Sequence, residues 1–402
     1  MKETSLTTEE SGRRSGTLRR LSVALVVAGL LIGFVAQGWQ PSPRAETQGE
    51  IIPVEEFSRI IRDFSEEGGY FLSDNFVSNE TSYLHVMDKL EEIGIVGEGA
   101  YIGVGPEQNF SYIAKLRPRI AFIVDIRRQA IVQQLMYKAL FHLSENRIEF
   151  LSRLFSSPIM DEAPAVDALL PELLDYFDRK PGEEEVFRKN LSTVVKIIEE
   201  DFRFPLTEED GAGLEYIYSI FWEANLDIRF WFRGRWSWGY FPTLRGILLE
   251  RELDGDLGNF LAREEDYLFV RELHLQNRII PVVGDFAGPK ALRTVGDYLK
   301  KNGYSVSAFY TSNVEQYLFR NGVFGAFVEN VRHLPVTEKS LFIRAFTGRG
   351  GFHPARVPGH RLTTILQKIT TFLGDFDQGR YPNYWALVTT NFISPREANP
   401  QE

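Results

Sequence analysis

Residues 100–125 read Ala-Tyr-Ile-Gly-Val-Gly-Pro-Glu-Gln-Asn-Phe-Ser-Tyr-Ile-Ala-Lys-Leu-Arg-Pro-Arg-Ile-Ala-Phe-Ile-Val-Asp. Residues 100–104 form an apolar run of strand length, and the glycine-rich turn after it opens a helical pattern that lasts to about residue 116. A second apolar run, 120–124, is closed by Asp125. Strand, tight turn, helix and strand in so short a span predict two parallel neighbours joined by a right-handed crossover.

Reading toward the C-terminus, a long helical pattern covers 130–155 and a largely helical region continues to about 276. Its middle, 230–241, packs aromatic residues among arginines and reads as core in preference to a partner or membrane surface. Alternation then resumes. A short strand at 279–283 ends in Gly284-Asp285, a helix spans 289–301, Asn302-Gly303 turns into a strand at 305–310, a helix covers 313–319 and a strand 341–346. The fold class expected is α/β, a Rossmann-like, mostly parallel sheet with a large helical insertion. Its first half is 98–143, the insertion 144–278, the second half 279–346, and 347–402 a C-terminal extension.

Toward the N-terminus, 51–97 reads as a helical lead-in with patterns at 54–64 and 80–93, separated by a turn-rich polar loop at 68–80. Residues 40–50 form a Pro-containing linker. Before it, a basic flank (1–20, with Arg13, Arg14, Arg19 and Arg20) precedes an uncharged run at 21–39, a signal peptide core or a transmembrane helix. Either reading carries the globular domain across the cytoplasmic membrane or anchors it there, with the domain outside. Arg19-Arg20 followed by Leu21 also hints at twin-arginine export. A buried N-terminal helix is the remaining alternative.

Composition narrows the functions. The 402 residues, 44% apolar and 13% aromatic, suffice for a large core, and a formal charge of −10 argues against gripping nucleic acid through its phosphates. With no cysteine, disulfides, thiolate metal sites and a thiol nucleophile are excluded. The histidines (His85, His142, His274, His333, His353 and His360) are scattered, so no metal site is expected, and no P-loop or serine elbow occurs.

In open parallel sheets, ligands sit beyond the carboxyl ends of the strands. The suspicious residues gather at those ends: Gly103, Gly105, Glu107, Gln108 and Asn109 after the first strand, Asp125 after the second, Asp285 after the third, and Asn313 with Tyr310 and Glu315 after the fourth. Paired glycines admit a ligand to the backbone, the next helix offers unpaired N–H groups, and an acid at the position of Asp125 suits a ribose. Arg127 and Arg128 are read either as surface partners of Asp125 or as a seat for a 2′-phosphate. From the 68–80 loop, Asn75, Asn79 and Glu80 are candidates for the substrate side.

On these residues the layout resembles class I S-adenosylmethionine-dependent methyltransferases. The resemblance implies Gly103 and Gly105 as the glycine motif, Asp125 on the ribose, Asp285 on the base and Asn313 at the final strand end. It departs where the family carries an acid and the chain has Tyr101, where the third glycine is Glu107, and where Val314-Glu315 follows Asn313. The chain also resembles an uncharacterised bacterial family marked by GGYFLSDNFVSNETSY (68–83), YIGVGPEQNFSYIA (101–114), FIVDIRR (122–128), PVVGDFAGPKALR (281–293) and FYTSNVEQYLF (309–319). The expected function is therefore a methyltransferase-like protein binding S-adenosylmethionine or a related adenosyl ligand in a nucleotide-type pocket at the strand ends, its substrate open. The alternatives are an exported, non-catalytic ligand-binding protein and an NAD(P)-dependent oxidoreductase. The expected partners are a small-molecule ligand and, if the N-terminal segment is not cleaved, a membrane.

Overall fold

The computed structural model describes residues 51–230, 241–347 and 352–396. The signal or anchor reading of 21–39 and most of the aromatic stretch, 231–240, lie outside the described residues. Among the described residues no helix is long and apolar enough to cross a membrane.

Six strands form one sheet: β1 (Ala100–Gly103), β2 (Ile120–Asp125), β3 (Ile279–Val283), β4 (Val306–Ser312), β5 (Val336–Thr347) and β6 (Leu362–Lys368), in spatial order β3-β2-β1-β4-β5-β6. Neighbours are parallel from β3 through β5, and β6 runs antiparallel to β5. Every residue of β1, β2 and β3 is buried, as expected for strands covered on both faces. That two-sided burial is why these strands read as unbroken apolar runs instead of alternating ones. The chain steps outward from β1 to β3 and then returns to place β4 on the other side of β1. The β1–β4 boundary is thus the point where connections diverge, and ligands of such sheets bind there.

The connection from β2 to β3 carries the helical insertion, from Arg128–Leu143 to Glu264–Leu275. The single long helix expected over 130–155 is two helices. Arg128–Leu143 stops at Ser144, and Asn146 starts Arg147–Phe155 by accepting a hydrogen bond from the Glu149 N–H. Aromatic packing fills this layer: Phe141 stands 4.6 Å from Phe150 and 5.3 Å from Tyr267, centroid to centroid. At the borders of the undescribed aromatic stretch, Phe230 and Phe241 are buried and meet edge to face at 4.9 Å.

The segment read as a C-terminal extension supplies β6 and the helices Ile369–Asp377 and Tyr384–Thr389. β6 hides in the sequence because its buried positions include Thr363, Thr364 and Gln367. Gln367 satisfies itself by accepting from the Arg344 guanidinium at 2.7 Å and donating to the Tyr381 hydroxyl at 3.0 Å.

Candidate functional site at the strand ends

The turn after β1 is held by its own side chains. Asn109, fully buried, donates from Nδ2 to the carbonyls of Val104 at 3.0 Å, Gly105 at 3.3 Å and Pro106 at 2.8 Å, and accepts from the Tyr101 hydroxyl at 2.8 Å. A Cβ at position 103 would lie 2.0 Å from Asn109 Oδ1 and 2.7 Å from the Tyr101 ring. These two neighbours alone account for a glycine at position 103. Gly105 has φ +84°, a conformation that glycine alone adopts without strain, and its carbonyl also accepts from Gln134 Nε2 at 3.0 Å. Asn109 likewise faces the turn, not a pocket.

Above the turn lies the loop around residues 73–82. Arg127 donates to the Asp74 carbonyl and Gln133 to the Phe76 carbonyl, so the loop is tied to the segment following β2. The Ser78 N–H donates to Glu107 Oε1 at 3.2 Å and the Ser78 hydroxyl to Gln108 Oε1. Gln108 Nε2 in turn donates to Glu80 Oε2 at 3.3 Å and to the Tyr310 hydroxyl at 2.5 Å. Ser312, held at φ +54° at the end of β4, donates its hydroxyl to Glu80 Oε1. A non-glycine residue in that region is uncommon enough to mark a position set by its contacts.

The loop, the turn after β1 and the end of β4 thus meet at the β1–β4 boundary around two buried carboxyls, Glu80 and Glu107. Burial pushes both upward, Glu107 to about 7, against the opposing pull of the Ser78 N–H on Glu107 and of Ser312, Tyr310 and Gln108 on Glu80. Glu107 Oε2 is buried with no hydrogen-bond partner among the described residues. No cation pairs with either carboxyl among the described residues.

The other expected site residues are engaged elsewhere. Asp125 forms a bidentate pair with Arg127, 3.0 Å from Nε and 2.8 Å from Nη2, and also accepts from the Arg127 N–H at 2.9 Å. This pair is buried, not at the surface. Arg128 pairs with Asp210 at 2.9 and 2.8 Å, so neither arginine is presented to a phosphate. Half-buried Asp285 accepts from the Ala287 N–H at 2.9 Å, and the neighbouring backbone nest is filled by Glu66, whose carboxylate accepts from the N–H groups of Asp285, Lys290 and Ala291 at 2.7–3.1 Å.

Glu315 is fully buried and pairs with fully buried Arg344 at 2.8 Å, with Thr311 donating to the same oxygen at 2.9 Å. Its place is the β4–β5 core, which corrects its assignment to a reacting end. Asn313, Asn75 and Asn79 are half-buried, and Asn75 adopts φ +50° within 3.6 Å of the position a Gly105 Cβ would take. Glu66 and Arg344 escaped the sequence reading. A lone arginine in the apolar run 341–346 is a usable signal for a buried pair, whereas nothing in the local sequence marks Glu66 as the occupant of a nest more than 200 residues away.

No curated protein matches this chain. A family model does match, over residues 75–394, a span holding all six strands and both buried carboxyls, and on that basis the chain belongs to the family described as Domain of unknown function (DUF7790).

Proposed function

We propose that this protein is a methyltransferase-like small-molecule-binding protein whose ligand carries positive charge and is held at the β1–β4 boundary by Glu80 and Glu107, beneath the 73–82 loop. The observation that carries the reading is the uncompensated pair of buried carboxyls, one with an orphaned oxygen, at the point of the sheet where connections diverge. A buried carboxyl with no cation beside it is held mainly by protonation, and a cationic ligand replaces that proton. S-adenosylmethionine, with a sulfonium and an ammonium, belongs to this ligand class. Gln108, Tyr310 and Ser312 orient Glu80, the Ser78 N–H orients Glu107, and half-buried Asn313 and Asn79 stand beside them. Methyl transfer needs mainly orientation and no acid–base pair, which keeps it the reaction class of choice.

The dinucleotide reading is weaker on two counts. Arg127 and Arg128, which would seat a 2′-phosphate, are paired, and β6 runs antiparallel where the dinucleotide fold has a sixth parallel strand. Ribose recognition by Asp125 requires Arg127 to release it. In the proposal the N-terminal segment exports or anchors the domain, so the ligand either travels bound or is another cation met outside the cytoplasm. Cell fractionation with sequencing of the mature N-terminus tests that part, and a full-length chain in the cytosol overturns it.

Thermal shift of the full chain with S-adenosylmethionine, S-adenosylhomocysteine, NAD and NADP tests the site. Stabilisation by the sulfonium exceeding that by its neutral thioether, larger at pH 8 than at pH 6 and lost in Glu107→Gln, is the expected result. No shift with any of the four, or a shift that Glu80→Gln and Glu107→Gln leave intact, overturns it.

A further inference from the structure

The opposite edge of the sheet, where β2, β3 and β4 begin, carries the reverse imbalance. Arg119 and Arg278 each stand immediately before a strand, β2 and β3, and the register sets those strands side by side: Ala121 lies opposite Ile279, and the Ala121 N–H donates to the Arg278 carbonyl at 2.8 Å. Tyr304, two residues before β4, meets both side chains. Arg278 Nη2 donates to its hydroxyl at 2.9 Å, and the Arg119 guanidinium lies over its ring, 5.0 Å from the centroid. We infer that Arg278 and Arg119, gathered on Tyr304, hold a phosphate-type oxyanion at this edge.

The buried arginines of the described residues are Arg127, Arg147, Arg278 and Arg344. Three of them have a carboxylate supplied by the chain: Arg127 has Asp125 at 2.8 Å, Arg147 has Glu264 at 3.0 Å and Arg344 has Glu315 at 2.8 Å. Arg278 is 2% exposed and has none among the described residues, and its Nε is buried there without a hydrogen-bond partner. An arginine keeps its charge inside a protein, so this one is buried with nothing to balance it. Burial lowers Arg278 from its ordinary value and Arg119 repels it, with Tyr304 and Tyr298 opposing and no carboxylate contributing.

Arg119 is exposed and likewise enters no ion pair among the described residues. The acids of this region are engaged or apart: Glu56 pairs with Arg59, Glu272 accepts from Gln276 Nε2, and exposed Glu98, ahead of β1, joins neither guanidinium. Arg119 thus supplies a solvent-facing charge beside a buried one. Guanidinium groups present forked donors that match the oxygens of a phosphate, and two positive charges suit a phosphate monoester, which carries about −1.5 to −2 at pH 7, better than a single carboxylate. The phosphate belongs either to a free small molecule or to a lipid headgroup. The site lies at the other ends of the strands from Glu80 and Glu107 and does not depend on the reading of those carboxyls.

Calorimetry on the full chain with inorganic phosphate and pyrophosphate, and co-sedimentation with phosphatidylcholine vesicles with and without phosphatidylglycerol, test the inference. Expected is one phosphate per chain, bound about tenfold more weakly by Arg119→Gln and by Arg278→Lys. If the phosphate belongs to a lipid, the free ions do not bind and the gain from phosphatidylglycerol is what Arg119→Gln loses. Arg119 is exposed, so its variant keeps the test valid if Arg278→Lys fails to fold. Exposed Lys300 and Lys301 close the helix Ala291–Lys301 shortly before Tyr304 and serve as the control for diffuse charge. Binding to none of the probes, binding indifferent to Arg119→Gln, or binding that Lys300→Gln and Lys301→Gln weaken as much as Arg119→Gln does, overturns the inference.

Discussion

At the strand ends, buried acids are treated in two ways. On the β2–β3 side, Asp125 has Arg127, and half-buried Asp285 accepts from the Ala287 N–H beside a backbone nest that holds Glu66. At the β1–β4 boundary, Glu80 and Glu107 are as deeply buried as Asp125 but meet hydroxyls, an amide and a backbone N–H and no cation among the described residues, whereas Glu315 after β4 has Arg344. Removing charges from water is expensive unless they are paired, so the first arrangement is complete as it stands and the second is complete only when a proton or a ligand supplies the missing charge. Position at a strand end therefore does not tell a balanced acid from an unbalanced one, whereas the partners around it do.

The largest effect is expected from breaking the balanced side. Arg127→Met leaves Asp125 buried and unpaired and removes the tie to the Asp74 carbonyl, at a cost of about 3–5 kcal/mol. Urea unfolding measures it, and the double variant Asp125→Asn/Arg127→Met should recover much of the loss. A loss below about 1 kcal/mol would mean that the pair is not sealed from water and that Asp125 is open to a ribose after all.

On the unbalanced side a substitution should stabilise. Glu107 titrates at about 7 in the folded protein but near its ordinary value of 4.5 when unfolded, so the native state holds an extra proton between those values. Stability therefore declines as pH rises from about 4.5 to about 7, and the penalty is complete above that window. Glu107→Gln keeps an oxygen for the Ser78 N–H and removes the ionisation. It should gain about 2–3 kcal/mol at pH 8 and nothing at pH 4. Urea midpoints at the two pH values measure this, and equal effects at both would show that Glu107 is hydrated or already paired.

This contrast also separates what the sequence carries from what it does not. β1 to β3 are legible because strands buried on both faces are apolar throughout, as in 120–124 and 279–283, whereas of β5 only the apolar part 341–346 is, since Thr337, Glu338 and Lys339 before it are exposed. β6 is not, because its buried Thr364 and Gln367 are satisfied by Ser82 and Arg344, which lie elsewhere in the sequence. Glu80, Glu107, Gln108 and Tyr310 could be gathered from the sequence, since their strand-end and loop positions follow from the strand order. The partners of Asp125, Asn109 and Glu315 could not. Choice of partner depends on side-chain geometry across the sheet: Arg127 turning back on Asp125, Asn109 folding over its own turn, and Arg344 arriving from β5.

The smallest effects separate the two glycines of the turn, which the sequence alone treats alike. Gly103→Ala places a methyl 2.0 Å from Asn109 Oδ1 and 2.7 Å from the Tyr101 ring, both fully buried, so the core must shift at a cost of about 1–3 kcal/mol. Gly105→Ala meets only Asn75 Nδ2 at 3.6 Å, and its penalty is the backbone strain of φ +84°, about 1–2 kcal/mol. A further substitution separates the mechanisms. Asn109→Ala combined with Gly103→Ala should relieve part of the clash, giving a coupling that Asn109→Ala does not show with Gly105→Ala. If both pairs are additive, the side-chain plug over position 103 does not exist, and Gly103 regains the role of a ligand-admitting floor to the site.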